Sequence, residues 1–104
     1  MRESTSAELP ANVTLSSRTE RDLKGLYRKH PQEVLGIVRD MARLALRSIP
    51  AGQYKKLQGM KRKLWELDSG RFRVVFYWEG QVLHIVAVFP KADQARIFRH
   101  LYWR

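Results

Sequence analysis

A small group of charged side chains in the second half of the chain has the types and spacing that phosphate chemistry requires. Arg71 and Arg73 stand two positions apart in the run GRFRVVFYW, and Glu66 lies in the preceding run LWEL. An arginine binds two phosphate oxygens at once and stays protonated, and a carboxylate can accept a proton. The group therefore predicts a surface that binds a phosphodiester and moves a proton beside it.

Further cations flank this group on both sides in the sequence. Lys61, Arg62 and Lys63 precede the LWEL run, and Lys91 follows in the run FPK. A basic run is most often a solvated segment, but beside two arginines it favours a channel for phosphates. His84 is a further acid–base candidate, because the unperturbed pKa of histidine lies near neutral pH.

Three strands are predicted to position these side chains. Two dipeptides that end in glycine, at 69–70 and 79–80, are turn signals between apolar runs. Alternation along the middle strand places Arg71 and Arg73 on the face opposite the core, and Glu66 is expected on the same face. The expected strands form an antiparallel meander of residues 63–68, 71–78 and 82–89.

The chain before the first helix divides into a tail and a strand. Residues 1–10 are polar, lack periodicity and end in proline, so they are expected to form a flexible tail. Val13 and Leu15 alternate with polar residues, which predicts a short first strand. Residues 11–104 are then one domain, since 104 residues suffice for a single two-layer core.

Two helices are predicted to follow the first strand. Ser17 and Glu20 have the spacing of a capping box, which predicts the start of the first helix. Pro31 suits the first turn of the second helix, whose apolar stripe extends to about Ser48 or Ile49. With a short closing helix, the order favours an α+β fold in which two helices cover one face of a small twisted antiparallel sheet.

The charge of the chain points to an anionic partner. Twenty Lys and Arg stand against ten Asp and Glu, which gives a formal charge of +10. Such an excess repels itself, so a nucleic acid or an acidic protein is a natural ligand. A basic protein whose charge serves only solubility is the alternative on charge alone.

Composition excludes several classes of site. The chain has no cysteine, so disulfides, thiolate metal ligands and a cysteine nucleophile are impossible. The three histidines are far apart and the glycines are scattered, so we expect neither a metal site nor a Gly-rich phosphate loop, and no cofactor. No apolar run approaches the ~20 residues that cross a bilayer, and the polar start does not resemble a signal peptide. The expected location is the cytoplasm, away from membranes.

A row of arginines is expected on the second helix. Arg39, Arg43 and Arg47 follow one another at intervals of four residues, which would put them on one side, away from the apolar stripe. With Lys55 and Lys56 in the next segment, they are candidates for binding RNA phosphates. A solvated helix face is the alternative interpretation.

The order and spacing of these runs resemble the RelE/ParE superfamily of bacterial toxins, and LWEL and FPK are most similar to its HigB-type branch. The resemblance covers about residues 12–99. It implies a RelE-like fold and the toxin of a type II toxin–antitoxin system, which cuts mRNA at the ribosomal A site without a metal. In that reaction the 2′-hydroxyl attacks the adjacent phosphate. The implied partners are a cognate acidic antitoxin, the ribosome and mRNA.

The resemblance also implies roles for individual residues. Arg73 matches the arginine of the family's strand motif, here in SGRFR, and is the first candidate for catalysis. The other implied catalytic residues are Glu66, Lys63 and Lys91. Substrate binding is assigned to Lys61, Arg62, Arg71, His84 and Phe98.

The C-terminal segment departs from the pattern of the RelE-like members, which carry an arginine or histidine and then, a few residues later, a tyrosine. Gln94 and Phe98 occupy the matching positions. Phe98 can stack on a base but cannot transfer a proton, and Arg96, His100 and Tyr102 are the nearby substitutes. Two other functions therefore stay open: a ParE-like inhibitor that binds DNA gyrase without catalysis, and a catalytically degenerate binding module.

Overall fold

The computed structural model of the protein describes residues 9–59 and 62–101, with the backbone alone for residues 100 and 101. These residues form one five-stranded sheet, three α-helices and two short 3-10 segments. The strands are β1 (Val13–Leu15), β2 (Tyr54–Lys56), β3 (Trp65–Ser69), β4 (Phe72–Glu79) and β5 (Val82–Pro90). The helices are α1 (Ser17–Lys29), α2 (Pro31–Ala45) and α3 (Gln94–Leu101), and the 3-10 segments are Ala51–Gln53 and Lys91–Asp93. No helix in the described ranges is long and apolar enough to cross a membrane.

The sheet is mixed, with the strand order β1-β5-β4-β3-β2. The predicted α+β class is confirmed, but the N-terminal strand pairs in parallel with β5 rather than antiparallel. The hairpin of α1 and α2 returns the chain to the end of the sheet where β1 stopped, so β2 runs opposite to β1. Three successive antiparallel pairings, β2 with β3, β3 with β4 and β4 with β5, then make β5 parallel to β1.

Strand β2 lies between the second predicted helix and the predicted meander, in a segment for which no strand is predicted. It contains only three residues, two of which are lysines, so it carries no recognisable hydrophobic alternation. Its Tyr54 packs edge-on against Trp65 and Phe76, with both ring centroids 5.6 Å away. Short, lysine-rich strands are typical of sheet edges, where they discourage pairing with another chain.

The main core lies between one face of the sheet and the helices α1 and α2. Residues of α2 and of the central strands are almost fully buried there, among them Val34, Ile37, Val38, Met41, Val74, Phe76 and Leu83. Leu9, in the predicted tail, also packs against this core. Residues 1–8 of that tail lie outside the described residues.

A second, smaller cluster covers part of the opposite face of the sheet. It joins the central strands to α3 and to the segment before β3, through Leu57, Leu64, Val75, Ala87, Phe89 and Ile97. A β-bulge leaves Val86 without a partner in the ladder, since Val75 pairs with Ala87 and Phe76 with Ile85. Most of the buried apolar residues lie in the main core, as strand alternation indicates, and fewer lie on the opposite face. The second face is partly covered, and α3 is held close to the strands that carry the charged residues.

Helix α1 is capped one residue earlier than the sequence predicts. Ser16 is the N-cap, and its Oγ accepts a hydrogen bond from the backbone N–H of Thr19 at 3.1 Å. The same hydroxyl donates to the carbonyl oxygen of Val86 at 3.0 Å. Because the Ser16 hydroxyl is hydrogen-bonded both to helix α1 and to the bulge of β5, it fixes the start of α1 against the sheet.

Helix α2 ends at Ala45, before the predicted end at Ser48 or Ile49. The N–H of Arg47 donates to Leu44 and the N–H of Ser48 donates to Arg43, both at 2.9 Å. This is the hydrogen-bond pattern of a Schellman motif, with Arg47 at the left-handed position that glycine usually occupies. Its φ is 58°, so the chain turns away from the helix axis at Arg47.

Candidate active site

Arg73 of β4 is the centre of a charged cluster on the sheet face opposite α1 and α2. Its Nε donates to Asp68 Oδ1 at 2.9 Å, and its Nη1 donates to Gln94 Oε1. Nη1 also lies 3.4 Å from Glu66 Oε1, and the Arg73 side chain is only 17% exposed. The guanidinium is therefore enclosed by two carboxylates and one amide.

The turn between β3 and β4 fixes the pairing of Asp68 with Arg73. The loop consists of Gly70 and Arg71 alone, and Gly70 has a φ of 61°. A glycine with positive φ at the first loop position is typical of a type II′ hairpin turn. The resulting register places Asp68 directly opposite Arg73, where cross-strand side chains interact most closely.

Glu66 is a buried carboxylate on the same face, as the alternation of LWEL predicts. Its neighbours Trp65 and Leu67 pack on the main core, so Glu66 projects to the other side. The residue is 9% exposed, and its Oε1 has no hydrogen-bond partner among the described residues. Arg73 lies within ion-pair distance of this oxygen but outside hydrogen-bond geometry. A buried carboxylate oxygen without a donor is costly, so this atom is suited to accept a proton or a donor from a ligand.

Lys91 closes the cluster from the end of β5. Its Nζ lies 3.6 Å from Asp68 Oδ2, so Asp68 uses one oxygen for Arg73 and the other for Lys91. The hydrogen bond from Arg73, helped by the charges of Arg73 and Lys91, holds the pKa of Asp68 below its ordinary value. Asp68 is therefore an ionised group that binds both cations, as a phosphate would.

Arg71 does not join this cluster. Its Nε and Nη2 donate to the two carboxylate oxygens of Glu33 on α2 at 2.8 and 3.0 Å, and its guanidinium lies 4.6 Å from the ring centroid of Phe72. Hydrogen bonding from Arg71 lowers the pKa of Glu33. The prediction that Arg71 and Arg73 share one face is wrong, because Arg71 belongs to the two-residue turn, where strand alternation does not apply.

The basic run before β3 is only partly associated with the cluster. Lys61 lies outside the described residues. The Arg62 guanidinium stacks on the ring of Tyr77 at 4.4 Å from its centroid. Lys63 is exposed and pairs with no carboxylate in the described ranges. The proposed substrate roles of these cations stay predictions.

The two lysines of β2 point to different faces of the sheet. Lys55 pairs with Glu66 in the ladder, so it shares the face of the charged cluster. Lys56 pairs with Trp65 and belongs to the face of the main core, at its exposed edge. Only Lys55 is therefore placed beside the Arg73 cluster.

His84 lies on the same face of the sheet as the charged cluster, but towards the opposite end of β5. Its Nδ1 is 2.7 Å from Thr14 Oγ1, its Nε2 is 3.0 Å from Glu79 Oε1, and its ring stacks on Tyr77 with centroids 4.7 Å apart. The ladder separates it from Arg73 by four residues, or about 13 Å along the strand. Both ring nitrogens already have partners, and the structure does not bring His84 together with Arg73.

The predicted row of arginines on α2 is broken. Arg39 is exposed at its expected place, but Arg43 pairs with Asp40 at 3.3 Å. Arg47 lies beyond the helix end, where its guanidinium stacks 3.9 Å from the ring centroid of Trp78. The helix stops earlier than expected, so the three arginines do not form one surface. Arg43 is also already paired with a carboxylate.

Two solved structures share this arrangement of strands and helices. The structure of the YoeB dimer from Staphylococcus aureus matches with a TM-score of 0.63 and 16% identity, over 73% of this chain and 91% of that chain. The YoeB/ParE toxin from Agrobacterium tumefaciens matches with a TM-score of 0.61 and 20% identity, over 76% of this chain and 96% of that chain. The chain has the RelE/YoeB-like toxin fold. No protein-family model and no curated protein sequence matches it.

Within the RelE-like fold, α3 carries the two residues at which this chain departs from the family pattern. Gln94 opens the helix and accepts the hydrogen bond from Arg73. Phe98 packs edge-on against Phe89, with centroids 5.8 Å apart. Gln94 therefore positions the central arginine, while Phe98 contributes to packing. The predicted substitute Tyr102 and the side chain of His100 lie outside the described residues.

Sequence reasoning missed Gln94 as a direct partner of Arg73. Gln94 belongs to a separate helix, and no local pattern shows that it reaches Arg73. An ion pair of Arg73 with Glu66 or Asp68 on the neighbouring strand is expected from the sequence, and the two-residue hairpin loop at 70–71 places Asp68 opposite Arg73. Among the described residues no group of three or more His, Asp or Glu is placed to bind a metal ion.

Proposed function

We propose that this protein is the toxin of a type II toxin–antitoxin pair and that it cleaves mRNA on the ribosome. The supporting observation is the pair of Arg73 and Glu66, a largely buried guanidinium beside a carboxylate oxygen that accepts no hydrogen bond from any described residue. Attack of a 2′-hydroxyl on its adjacent phosphate needs a cation and a proton acceptor side by side. A protein that only binds gyrase needs no such convergence.

Three members of the cluster have roles in the proposed reaction, and Lys63 of the basic run has a fourth. Glu66 takes the proton of the 2′-hydroxyl, whose oxygen attacks phosphorus while the bond to the 5′ oxygen breaks. Arg73 and Lys91 stabilise the negative charge that develops on the phosphorane. Lys63 donates a proton to the leaving 5′ oxygen. The products are a 2′,3′-cyclic phosphate and a free 5′-hydroxyl.

In the proposed mechanism, substrate binding breaks the ion pairs of Asp68 with Arg73 and Lys91. The Asp68 side chain is 52% exposed, against 17% for Arg73, so the carboxylate can rotate towards solvent while the guanidinium stays in place. A phosphate that enters then takes over the bonds from Arg73 and Lys91. Gln94 keeps Arg73 oriented during the exchange, because it holds Nη1 rather than Nε.

The proposed partners follow from the charge of the chain. An excess of ten positive charges favours the ribosome and its mRNA, and it also favours an acidic antitoxin that covers the cationic surface. Lys55, at the edge strand beside Glu66, and Arg39 are the described cations proposed to contact RNA. The cytoplasm is the proposed location, since ribosomes and antitoxin meet there.

The decisive experiment induces the chain in bacterial cells and maps new 5′ ends on mRNA while plasmid supercoiling is assayed. We expect cuts with codon periodicity, 5′-hydroxyl ends on the downstream fragments, and unchanged supercoiling. Arg73→Ala is the matched inactive control. Relaxed or broken DNA would instead support a gyrase inhibitor, and neither effect would support a degenerate binding module.

A further inference from the structure

A groove of about 560 Å³ lies between α1 and the junction of β5 with α3, outside the Arg73 cluster. One wall is the exposed side of α1, and the other is formed by Asp93 and Arg96 at the start of α3. Five cations line it: Arg18, Arg21, Arg28, Lys29 and Arg96. Nothing in the proposed reaction uses this groove.

The charges in the groove are unbalanced. Its two carboxylates are already paired, Asp22 with Arg18 at 3.7 Å and Asp93 with Arg96 at 3.3 Å. Arg21, Arg28 and Lys29 have no ion-pair partner in the part of the chain that the structure describes. Arg28 and Lys29 lie in the last turn of α1, where cations also favour the helix dipole. Arg21 lies in the second turn and has no such role.

Gly25 forms the middle of the α1 wall. A glycine inside a helix costs roughly 1 kcal/mol relative to alanine, so its presence calls for a reason. Packing does not supply one, because an added Cβ would meet no atom within 4 Å. Without a side chain, Gly25 leaves the helix backbone open to a ligand between Arg21 and Arg28, which stand about 10 Å apart along the helix.

The floor of the groove is mostly buried, and Leu26 and Pro90 are the half-buried apolar residues that line the groove. Val88 and Phe89 are each 3% exposed, and Ile97 is 7% exposed. An amphipathic peptide helix gains its affinity from apolar contacts, and this floor provides few. A ligand held mainly by charge, through arginines that suit phosphate oxygens, fits the groove better.

A single turn of the chain lies between the groove and the Arg73 cluster. In the segment 91–94, Lys91 and Gln94 contact the cluster while Asp93 lines the groove. We infer that the groove binds the sugar–phosphate backbone of the same RNA chain, a few nucleotides from the bond at Arg73. This inference rests on the proposed function. Because the contacts are to phosphates, the groove adds affinity and orientation without reading sequence.

Uncleavable RNA tests the inference. Oligonucleotides of three and nine residues, methylated at every 2′-oxygen, are titrated by fluorescence anisotropy over a salt series. The chain should bind the nine-residue RNA more tightly and with a steeper salt dependence. The double variant Arg21→Gln/Arg28→Gln should lower the slope for the longer RNA by about 1.4, since each phosphate contact on a single strand contributes about 0.7. Its affinity for the shorter RNA should not change.

Two further variants distinguish RNA binding in the groove from a general effect of the protein's charge. Lys24→Gln/Arg99→Gln removes the same two charges from α1 and α3 outside the groove, and it should leave both RNAs bound as before. Gly25→Gln changes no charge but fills the groove wall, and it should weaken binding of the longer RNA only. Circular dichroism checks that both variants stay folded.

Each outcome has a distinct meaning. Equal losses in the Arg21→Gln/Arg28→Gln variant and its control would overturn the groove as an RNA site. Unchanged RNA binding with weaker binding of a polyglutamate peptide would overturn it in favour of an acidic protein. If the shorter RNA fails to bind the unmodified chain, or binds Arg73→Ala equally well, the proposed function itself fails.

Discussion

Asp68 lies directly opposite Arg73 in the β3–β4 ladder, and its Oδ1 accepts a hydrogen bond from Arg73 Nε at 2.9 Å. Its second oxygen lies 3.6 Å from Lys91, so one carboxylate pairs with both cations that are proposed to bind the scissile phosphate. The cluster of Glu66, Asp68, Arg73 and Lys91 carries no net charge. The protein thus contains an internal anion at the place proposed for the phosphate.

Replacing Asp68 with asparagine should strengthen anion binding at the cluster. An exposed ion pair contributes about 0.2–1 kcal/mol, so removing the competing charge should raise sulfate affinity by up to about fivefold. Chemical-shift titration with sulfate measures the change. Glu79→Gln is the control, since Glu79 is an exposed carboxylate that pairs with His84 instead. Weaker sulfate binding in Asp68→Asn would mean that Asp68 orients Arg73 and does not compete with ligands.

Replacing Arg73 with alanine should abolish cleavage. Loss of one contact to the transition state typically costs a factor of about 10²–10³ in rate. Because Glu66 is buried and has Arg73 as its cation, the same change should also lower the free energy of unfolding. Cleavage by reconstituted ribosomes and urea unfolding measure the two effects, and full activity of this variant would remove Arg73 from the mechanism.

Replacing Glu66 with glutamine should separate catalysis from stability. The amide keeps the shape of the side chain but cannot take the 2′ proton, so the rate should fall with little change in RNA affinity. Because Arg73 keeps Asp68 and Gln94 as partners, removing the charge of Glu66 leaves no unpaired buried charge and should change the free energy of unfolding little. The double variant Glu66→Gln/Arg73→Ala should then be more stable than Arg73→Ala while staying inactive. A Glu66→Gln protein that cleaves at the normal rate would show that another group is the base.

Strand periodicity predicts the central pair of the site, because it holds inside the strands. Glu66 and Arg73 share a face as LWEL and SGRFR indicate, and the ladder confirms this. Arg71 stands outside the periodicity, since it lies in the turn and turns towards Glu33 instead. The position of Gln94 depends on how α3 crosses the sheet, which is a tertiary property that no local pattern encodes.

Helix periodicity predicts the faces of α1 and α2 but not the end of α2. The segment Leu46-Arg47-Ser48 contains no glycine, so the usual sign of a Schellman motif is missing. The stack of Arg47 on Trp78 joins residues 31 positions apart and offsets part of the cost of the unfavourable backbone. The predicted row of arginines fails for this reason.

Acid should weaken the contact that joins the β3–β4 turn to α2. The hydrogen bond from Arg71 lowers the pKa of Glu33 in the folded protein, so the contact contributes stability above the ordinary glutamate pKa of about 4.3. That contribution is lost as the pH falls below the ordinary glutamate pKa and then through the lowered pKa of Glu33 in the folded protein. Urea unfolding of the protein and of Glu33→Gln at pH 7 and pH 3 measures it. The difference between the two proteins should shrink at pH 3, and a constant difference would contradict the assignment.

Replacing Arg47 should show that backbone strain and ring stacking oppose each other at the end of α2. A non-glycine residue in the left-handed region costs roughly 1–2 kcal/mol, and an exposed cation–π contact returns about 0.5–1 kcal/mol. Arg47→Ala loses the stack on Trp78 and keeps the strain, so its free energy of unfolding should fall. Arg47→Gly loses both, so it should be at least as stable as the unmodified protein. Urea unfolding measures the pair, and equal stability of the alanine and glycine variants would exclude strain at this position.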